Sequence, residues 1–504
     1  MVFSSVVFVF VFLPLALVVH TVLLLGYTLA FKSTERPLGE KTDSPYGFWL
    51  CNVFLLLVSL VFYAWGEPYH VITMIASAAV NYSFGLLLAV ADDNRTKRKF
   101  IMIISVVFNL GLLGYYKYMN LFVDSGGVTL LNMLLPVKFS VSKIALPLGI
   151  SFYTFQAMSY VFDVYNKNVK PTTSFVTFSC YLTMFPQLVA GPIVRYSTIE
   201  KELHERTMSV ERFAMGISRF IFGLAKKLLI ADTLAQVANA AFAVPTRELP
   251  AYAAWAGVAA YAFQIYYDFS GYSDMAVGMG HMFGFTFPEN FYYPYIARSM
   301  QDYWRRWHMS LSRWFRDYLF IPLGGSRKGL FITGVNLLLV FALCGLWHGA
   351  SWIFLAWGLY HGFFLALERI FPRFAASMPR WLSHLYVTLA FLMGWVLFRA
   401  NNFTQAYEYY KALLGFYDAG INVNSVRLAL FKPDVYLAFT FGVIGAAPIV
   451  PWMKTYFNKI ASGLPSPVAE LCYACRVVFL LLLLLVCCMP LFGATYVSFI
   501  YFRF

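Results

Sequence analysis

From residue 329 to residue 347 the chain carries no charged side chain, and comparable apolar runs recur along its 504 residues. A hydrocarbon layer about 30 Å thick is crossed by roughly 20 apolar residues in helical form. Inside that layer every backbone N–H and C=O must find its partner within the protein, which a helix achieves within one segment. The composition agrees: 60% of residues are hydrophobic and only 12% charged. The 51 Phe and 34 Tyr suit a chain that faces lipid and anchors at both interfaces. The expected class is an all-α polytopic membrane protein, and a soluble multidomain reading is excluded.

Further apolar spans fall at about residues 3–31, 48–65, 70–91, 100–116, 352–370, 383–399, 434–452 and 474–496. The first lacks a basic leader and is far longer than a signal-peptide core of about 7 to 15 residues, so it reads as an uncleaved span. The loop from Asp92 to Lys99 carries four basic residues and the loop from Gly66 to His70 none. That asymmetry places 92–99 in the cytoplasm and the N-terminus outside. The stretch from about 145 to 300 is hydrophobic but interrupted by Pro147, Gly149, Pro186, Gly191, Pro192 and Gly271. Interrupted helix at membrane depth is tolerated only where protein or a water-filled cavity satisfies the freed backbone. The stretch therefore reads as the functional core, built with re-entrant or short helices, and residues 401–415 read as a helix outside the membrane. A single integral-membrane domain, 1–504, is expected, with N-terminal spans in 1–117, the core in 145–370 and C-terminal spans in 383–504.

The net charge of +14 follows from positive bias in cytoplasmic loops, and nothing resembles a nucleic-acid-reading module. Seven cysteines are scattered, most of them in apolar runs, so no disulfide framework is implied. Cys472 and Cys475 form a lone CxxC with no second ligand pair at zinc spacing, and no metal site is expected.

Chemistry concentrates in two blocks. In "SMQDYWRRWHMSLSRWFRDYLFIPLGGSRKG", from Ser299 to Gly329, a helical period aligns Trp304, Trp307, Leu311, Trp314, Phe315 and Tyr318 on one face, with Arg306, Arg313 and Arg316 on the other. That pattern describes an interfacial helix, and His308 falls on its apolar side. The ordinary explanation of such a histidine is a hydrogen bond to a backbone carbonyl. In "LCGLWHGASWIF", His348 stands between tryptophans inside an apolar run, where an ionisable side chain is a functional-site candidate. A metal shared with His361 is disfavoured, because thirteen residues of one continuous helix span about 20 Å. A neutral imidazole with a pKa near 6.5 can instead act as a general base.

Lys226, Lys227, Arg305, Arg306, Arg313, Arg316, Arg327 and Lys328 are candidates to meet an anionic donor, with lipid headgroups as the competing partner. Asp268 and Asp274 lie in an otherwise apolar stretch and admit a proton or cation path. The terminal "FIYFRF" is unusually apolar for a tail, and its Tyr501 either anchors at an interface or presents a phenol to a buried site.

"WRRWHMSLSRWFRDYLFIPLGG" followed by "GLWHGASWIFLAWGLYHG" resembles the membrane-bound O-acyltransferase family, in its alginate O-acetyltransferase branch. "PLGISFYTFQAMSYVFDVY", "FPQLVAGPIVRY" and "QIYYDFSGYSDMAVGMGHMFGF" look like further blocks of that branch, and the related teichoic acid D-alanyl transferase shares the histidine pair. The resemblance implies a ring of about 11 transmembrane helices, with re-entrant and interfacial helices, around a central tunnel from a cytoplasmic donor side to an outer acceptor side. His348 matches the family's catalytic histidine and His308 its second histidine. The implied donor is acetyl-CoA, with no tightly bound cofactor. Its phosphates would meet the basic cluster, while Trp347 and Trp352 would wall the tunnel. The tail is similar to a motif of acyl-export systems in which the tyrosine carries the acyl group, here Tyr501.

The implied setting is the bacterial cytoplasmic (inner) membrane, with both termini outside. The implied partners are membrane lipid, an outer-face SGNH-type acetyltransferase with a serine nucleophile, and polysaccharide synthesis and export machinery. Asn290, Tyr293 and Gln156 are polar groups for the tunnel without an assigned role. The rival expectations are a secondary transporter coupled through Asp268 and Asp274 and a scaffold subunit that only anchors an exopolysaccharide machine. No internal symmetry of the kind transporters show is visible.

Overall fold

The computed structural model describes residues 2–31, 48–134, 142–206, 208–418, 420, 423–449, 452, 456 and 466–493. Every regular element among them is helical. Among the described residues seven helices are long and apolar enough to cross a membrane, or eight if the pair Asn424–Leu430 and Pro433–Gly445, bent by 67°, counts as one span. The chain divides into two compact units, Met1–Phe220 with Met275–Pro288 and Ile221–Asp274 with Glu289–Phe504.

The first unit contains α1 (Leu13–Phe31), α2 (Trp49–Ala64), α3 (His70–Val90), α4 (Arg95–Leu113), α5 (Ile150–Tyr165), α6 (Phe175–Thr183) and α7 (Tyr196–His204). Val11, Leu15, Val18 and Val22 are exposed on the first span, as lipid-facing side chains should be. The polar residues of these helices face one another. Asn81 of α3 and Asn109 of α4 exchange side-chain hydrogen bonds of 3.1 and 2.7 Å, an interhelical link suited to an apolar surround. α5 is buried along nearly its whole length. Its last carbonyls, those of Val164 and Tyr165, accept hydrogen bonds of 2.9 and 2.8 Å from the buried guanidinium of Arg98. A cation at a helix C-terminus satisfies orphan carbonyls and opposes the negative dipole end. One of the four basic residues in the 92–99 stretch is therefore a structural cap.

Helix α8 (Val210–Ala225) runs through a wider turn, Lys226–Ala231, into α9 (Asp232–Ala243), and α10 spans Ala251–Met282. The sequence reading expects a break at Gly271, but α10 passes through it unbroken. The glycine serves proximity instead: a Cβ there would lie 2.7 Å from the Gly223 carbonyl oxygen, so only a bare Cα lets this helix approach α8.

In the second unit follow α11 (Met300–Arg306), α12 (Met309–Phe315), α13 (Leu330–His348), α14 (Trp352–Ile370), α15 (Arg380–Arg399), α16 (Phe403–Leu413), α17 (Asn424–Leu430), α18 (Pro433–Gly445) and α19 (Ser466–Gly493). The span expected at 434–452 is realised as the bent pair α17 and α18, with a turn after Gly445. Within residues 401–415 a helix forms, α16, over Phe403–Leu413, capped by the Asn402 side chain accepting from the Gln405 N–H at 2.8 Å. Its Tyr409 is fully buried and donates to the Ala254 carbonyl at 3.0 Å, so one face of the helix packs on α10.

The hairpin α13–α14 is the tightest contact that bears on function. A Cβ on Gly358 would lie 3.0 Å from the Cα of Gly345 and collide with the Phe341 carbonyl oxygen. Two facing glycines thus let the helices touch backbone to backbone. The hairpin holds His348, the last residue of α13, against side chains that α14 supplies.

Candidate active site

His348 ends α13 because Gly349 follows in an extended conformation, φ −158° and ψ 142°, and the chain reverses through Ser351 into α14. The imidazole is 3% exposed. Three aromatic rings enclose it edge to face: Trp347 and Trp357 at 5.0 Å between centroids and Phe398 of α15 at 5.5 Å. The ring of His308 stands 6.3 Å away at an interplanar angle of 64°. A reacting group within the usual reach of about 3 Å from one ring nitrogen of each histidine fits such a separation.

His308 reaches this place by a route the helical period does not foresee. The expected continuous helix over 299–318 is broken, and His308 sits between α11 and α12 with φ +42° and ψ 55°. That left-handed conformation is uncommon for any residue other than Gly, although Asn, Asp and His adopt it more often than the rest. Tyr293 is also left-handed, at φ +48°. Such strain persists only where surrounding structure fixes it, and it clusters at functional positions. His308 faces inward, the side its helical spacing also gives, against Phe269 at 4.6 Å and Trp347 at 6.0 Å. Burial holds its pKa down at about 3, so the ring is neutral at physiological pH.

Of the residues expected on one aromatic face, Trp304, Trp307, Leu311, Trp314 and Phe315 are buried and Tyr318 is half-buried, but the break at His308 divides them instead of leaving one continuous face. Beside the site Trp307 lies near-parallel to Tyr303 at 5.8 Å and to Tyr295 at 6.3 Å and meets Trp395 at 5.0 Å, part of a buried aromatic cluster. α11 is fixed from its other end by Glu368 of α14, whose two oxygens accept from the backbone N–H groups of Met300 and Gln301 at 2.6 and 2.9 Å. Tyr386 donates to the same carboxylate at 3.1 Å. A carboxylate at a helix N-terminus satisfies orphan donors and complements the dipole. Glu368→Ala is expected to cost about 1–3 kcal/mol, the penalty for leaving buried donors unmet. Glu368→Gln, which keeps an acceptor, should cost less, and thermal unfolding midpoints of the two variants check the order.

Two charged groups that the sequence presents separately turn out to be partners. Lys226 pairs with Asp274 at 2.6 Å. Lys227, 3% exposed, lies 2.7 Å from both Asp232 and Asp268. The lysines offered to an anionic donor and the carboxylates offered to a proton path are therefore ion-pair partners, Lys226 with Asp274 and Lys227 with Asp268 and Asp232. Arg305, Arg313, Arg316, Arg327 and Lys328 remain exposed, while Arg306 is half-buried against Asp302 at 2.8 Å and Arg316 pairs with Asp317 at 2.6 Å.

Trp347 lines the histidine pair, whereas Trp352 is 57% exposed and lies outside the aromatic box. His361 does not lie on one continuous helix with His348, as the spacing argument assumed. The reversal at 349–351 brings both rings against Trp357, at 5.0 and 4.9 Å, and the indole stands between them. Among the described residues no group of three His, Cys, Asp or Glu side chains is placed to hold a metal ion. Cys472 and Cys475 are exposed thiols on α19. Gln156 is buried in the first unit, and Tyr501 lies outside the described residues. Trp357, Phe398, Phe269 and Glu368 belong to the site or its support and are missed by the sequence reading. Only Glu368, a lone carboxylate in an apolar span, carries a signal that could have flagged it.

Helices long enough to cross a membrane several times define a multi-pass membrane protein, and at the end of one of them His348 is buried 6.3 Å from His308. Residues 96–405 match the model of the membrane-bound O-acyltransferase family. The chain is 42% identical over 421 residues, 82% of its length and 75% of the relative's, to a probable alginate O-acetylase of Pseudomonas aeruginosa. It is 36% identical over 445 residues to a peptidoglycan O-acetyltransferase of Helicobacter pylori, covering 82% and 80% of the two chains. With a teichoic acid D-alanyltransferase of Bacillus subtilis it shares 27% identity over 277 residues, 51% of this chain and 69% of the other. The chain belongs to the membrane-bound O-acyltransferase family, in its alginate O-acetylase-like branch, and is by class an O-acetyltransferase.

Proposed function

We propose that this protein carries an acetyl group from cytoplasmic acetyl-CoA across the bacterial inner membrane for O-acetylation of an extracellular polysaccharide, alginate-like or cellulose-like. The relatives' names, alginate O-acetylase and peptidoglycan O-acetyltransferase, support a glycan as the final acceptor. The observation that carries the reading is the pair of buried imidazoles, 6.3 Å apart in an aromatic enclosure at the end of a membrane span.

In this mechanism the phenol of Tyr501 attacks the thioester carbonyl carbon while His348 accepts the phenolic proton. The C–S bond then breaks, and the departing thiolate recovers a proton from the His348 imidazolium. A phenol with pKa near 10 needs such a base at neutral pH. The tyrosyl acetate would pass its acyl group to an outer-face SGNH-type partner, with both termini of this chain on that side. The donor's phosphates are assigned to the exposed arginines Arg305 and Arg313 rather than to Lys226, Lys227 and Arg316, which already face carboxylates. No observation favours the transporter reading, since Asp268 and Asp274 sit in ion pairs with those lysines.

The test is mass spectrometry of the C-terminal peptide after incubation of the full-length protein with isotopically labelled acetyl-CoA. One labelled acetyl on Tyr501 in the wild type, absent in a His348 variant, is the expected result. Acetylated glycan formed by a Tyr501→Phe variant at the wild-type rate would overturn the relay.

A further inference from the structure

Asn290, buried to 1% exposure in the segment between α10 and α11, makes an unusual set of contacts with the second histidine. Its side-chain oxygen accepts from the Ser310 backbone N–H at 3.2 Å and the Ser310 hydroxyl at 2.8 Å, and lies 3.1 Å from His308 Nδ1. Its main-chain oxygen accepts from the Met309 N–H at 2.9 Å. One residue thus engages three consecutive positions at the left-handed break. Asn290 Nδ2 is buried and meets no acceptor among the described residues. An amide free to turn over would have used that donor, so the orientation is imposed.

The geometry dictates where the protons are. A backbone N–H can only donate, so the amide atom facing Ser310 is the oxygen, which removes the usual flip ambiguity. An amide oxygen can only accept, so the proton in the contact with His308 belongs to Nδ1. We propose that Asn290 is a positioning residue that fixes His308 as the Nδ1–H tautomer, leaving Nε2 as its basic, hydrogen-bond-accepting atom. Burial, which keeps the ring neutral, supports the assignment. The inference rests on the acyl-transfer reading for its consequence. A ring whose remaining nitrogen accepts cannot polarise a thioester carbonyl through that atom. Because the hydroxyl's single proton goes to His348, His308 then orients the departing donor, accepting the S–H hydrogen once the thiolate has recovered its proton.

Charged groups on the neighbouring elements are accounted for. Asp268 and Asp274, which flank Phe269 on α10, are paired with Lys227 and Lys226. Arg306 is paired with Asp302, and Arg305, Arg313 and Glu289 are exposed. α13 contributes the titratable ring of His348.

The direct test is the ¹⁵N spectrum of the wild-type protein labelled at histidine, in nanodiscs near neutral pH, with the His308 resonance assigned by its loss in His308→Gln. A protonated Nδ1 and a bare Nε2 are expected, and the opposite tautomer would overturn the proposal. Asn290→Asp supplies the second test. A carboxylate facing Nδ1 favours the charged ring and raises its pKa by about one to three units. Since the neutral ring is the working form, the variant should lose activity toward pH 5 more steeply than the wild type, whose own acid limb is set by His348 alone. A variant profile that superposes on the wild type between about pH 5 and 8 counts against the proposal. The spectroscopic result does not depend on turnover, so it stands or falls separately from the role given to His348.

Discussion

Glutamine in place of His348 should lower acetyl transfer by roughly 10²- to 10⁴-fold, the usual contribution of a positioned acid–base group, while the protein assembles normally. Glutamine is the informative choice because the ring sits at 3% exposure among Trp347, Trp357 and Phe398. Alanine there would leave a cavity and could lower activity through packing alone. Glutamine keeps a polar side chain of comparable length and cannot take a proton at neutral pH. The measurement is glycan acetylation in cells together with the expression level and thermal midpoint of the purified protein. A fall in acetylation at unchanged midpoint supports general-base catalysis. Unchanged acetylation with glutamine at this position would sink the mechanism, since no proton acceptor would remain there. His308→Gln should also reduce transfer, but in the mechanism it orients a reactant rather than receiving its proton, so the loss is expected to be smaller.

The spans were legible because lipid imposes a simple rule on sequence: long uncharged runs must be helices. The run 352–370 coincides with α14 residue for residue, and 329–347 differs from α13 by one. His348 was legible for the same reason, as an ionisable group where the solvent disfavours one. The environment of His308 was not. A strict helical period over 299–318 predicts one continuous face, whereas the chain takes a left-handed residue at 308 that only contacts distant in sequence, such as Asn290, can stabilise. Asn290 was noticed as a polar residue without a role, because its role is a geometric relation to a ring eighteen residues away.

Gly271 failed in the opposite sense. Glycine signals either a break or a close approach, and sequence alone does not distinguish them; here the partner is a carbonyl on α8. Arg98 shows a related ambiguity, since the positive-inside rule and a helix C-cap call for the same residue type in the same loop.

The lysine–aspartate cluster carries the second large effect. Lys227→Met is expected to destabilise the protein by about 3–5 kcal/mol, the cost of breaking a buried ion pair from one side, because Asp232 and Asp268 would be left facing each other without their shared cation. The thermal midpoint should fall and expression with it. Replacing the whole cluster, Lys227→Met with Asp232→Asn and Asp268→Asn, should recover much of the loss, since an uncharged set of similar volume avoids the desolvation penalty altogether. The same variants separate this structural role from the one the sequence suggests. A lysine that bound the donor's phosphates would, when replaced by methionine, raise KM for acetyl-CoA at unchanged stability, and removing the two aspartates would not restore it. An ion-paired lysine gives the reverse: stability lost with the single change, regained with the triple, and a KM for acetyl-CoA in the triple variant equal to that of the wild type. Arg305 and Arg313, exposed on the two helices that flank His308, are where a KM effect without a stability effect is expected.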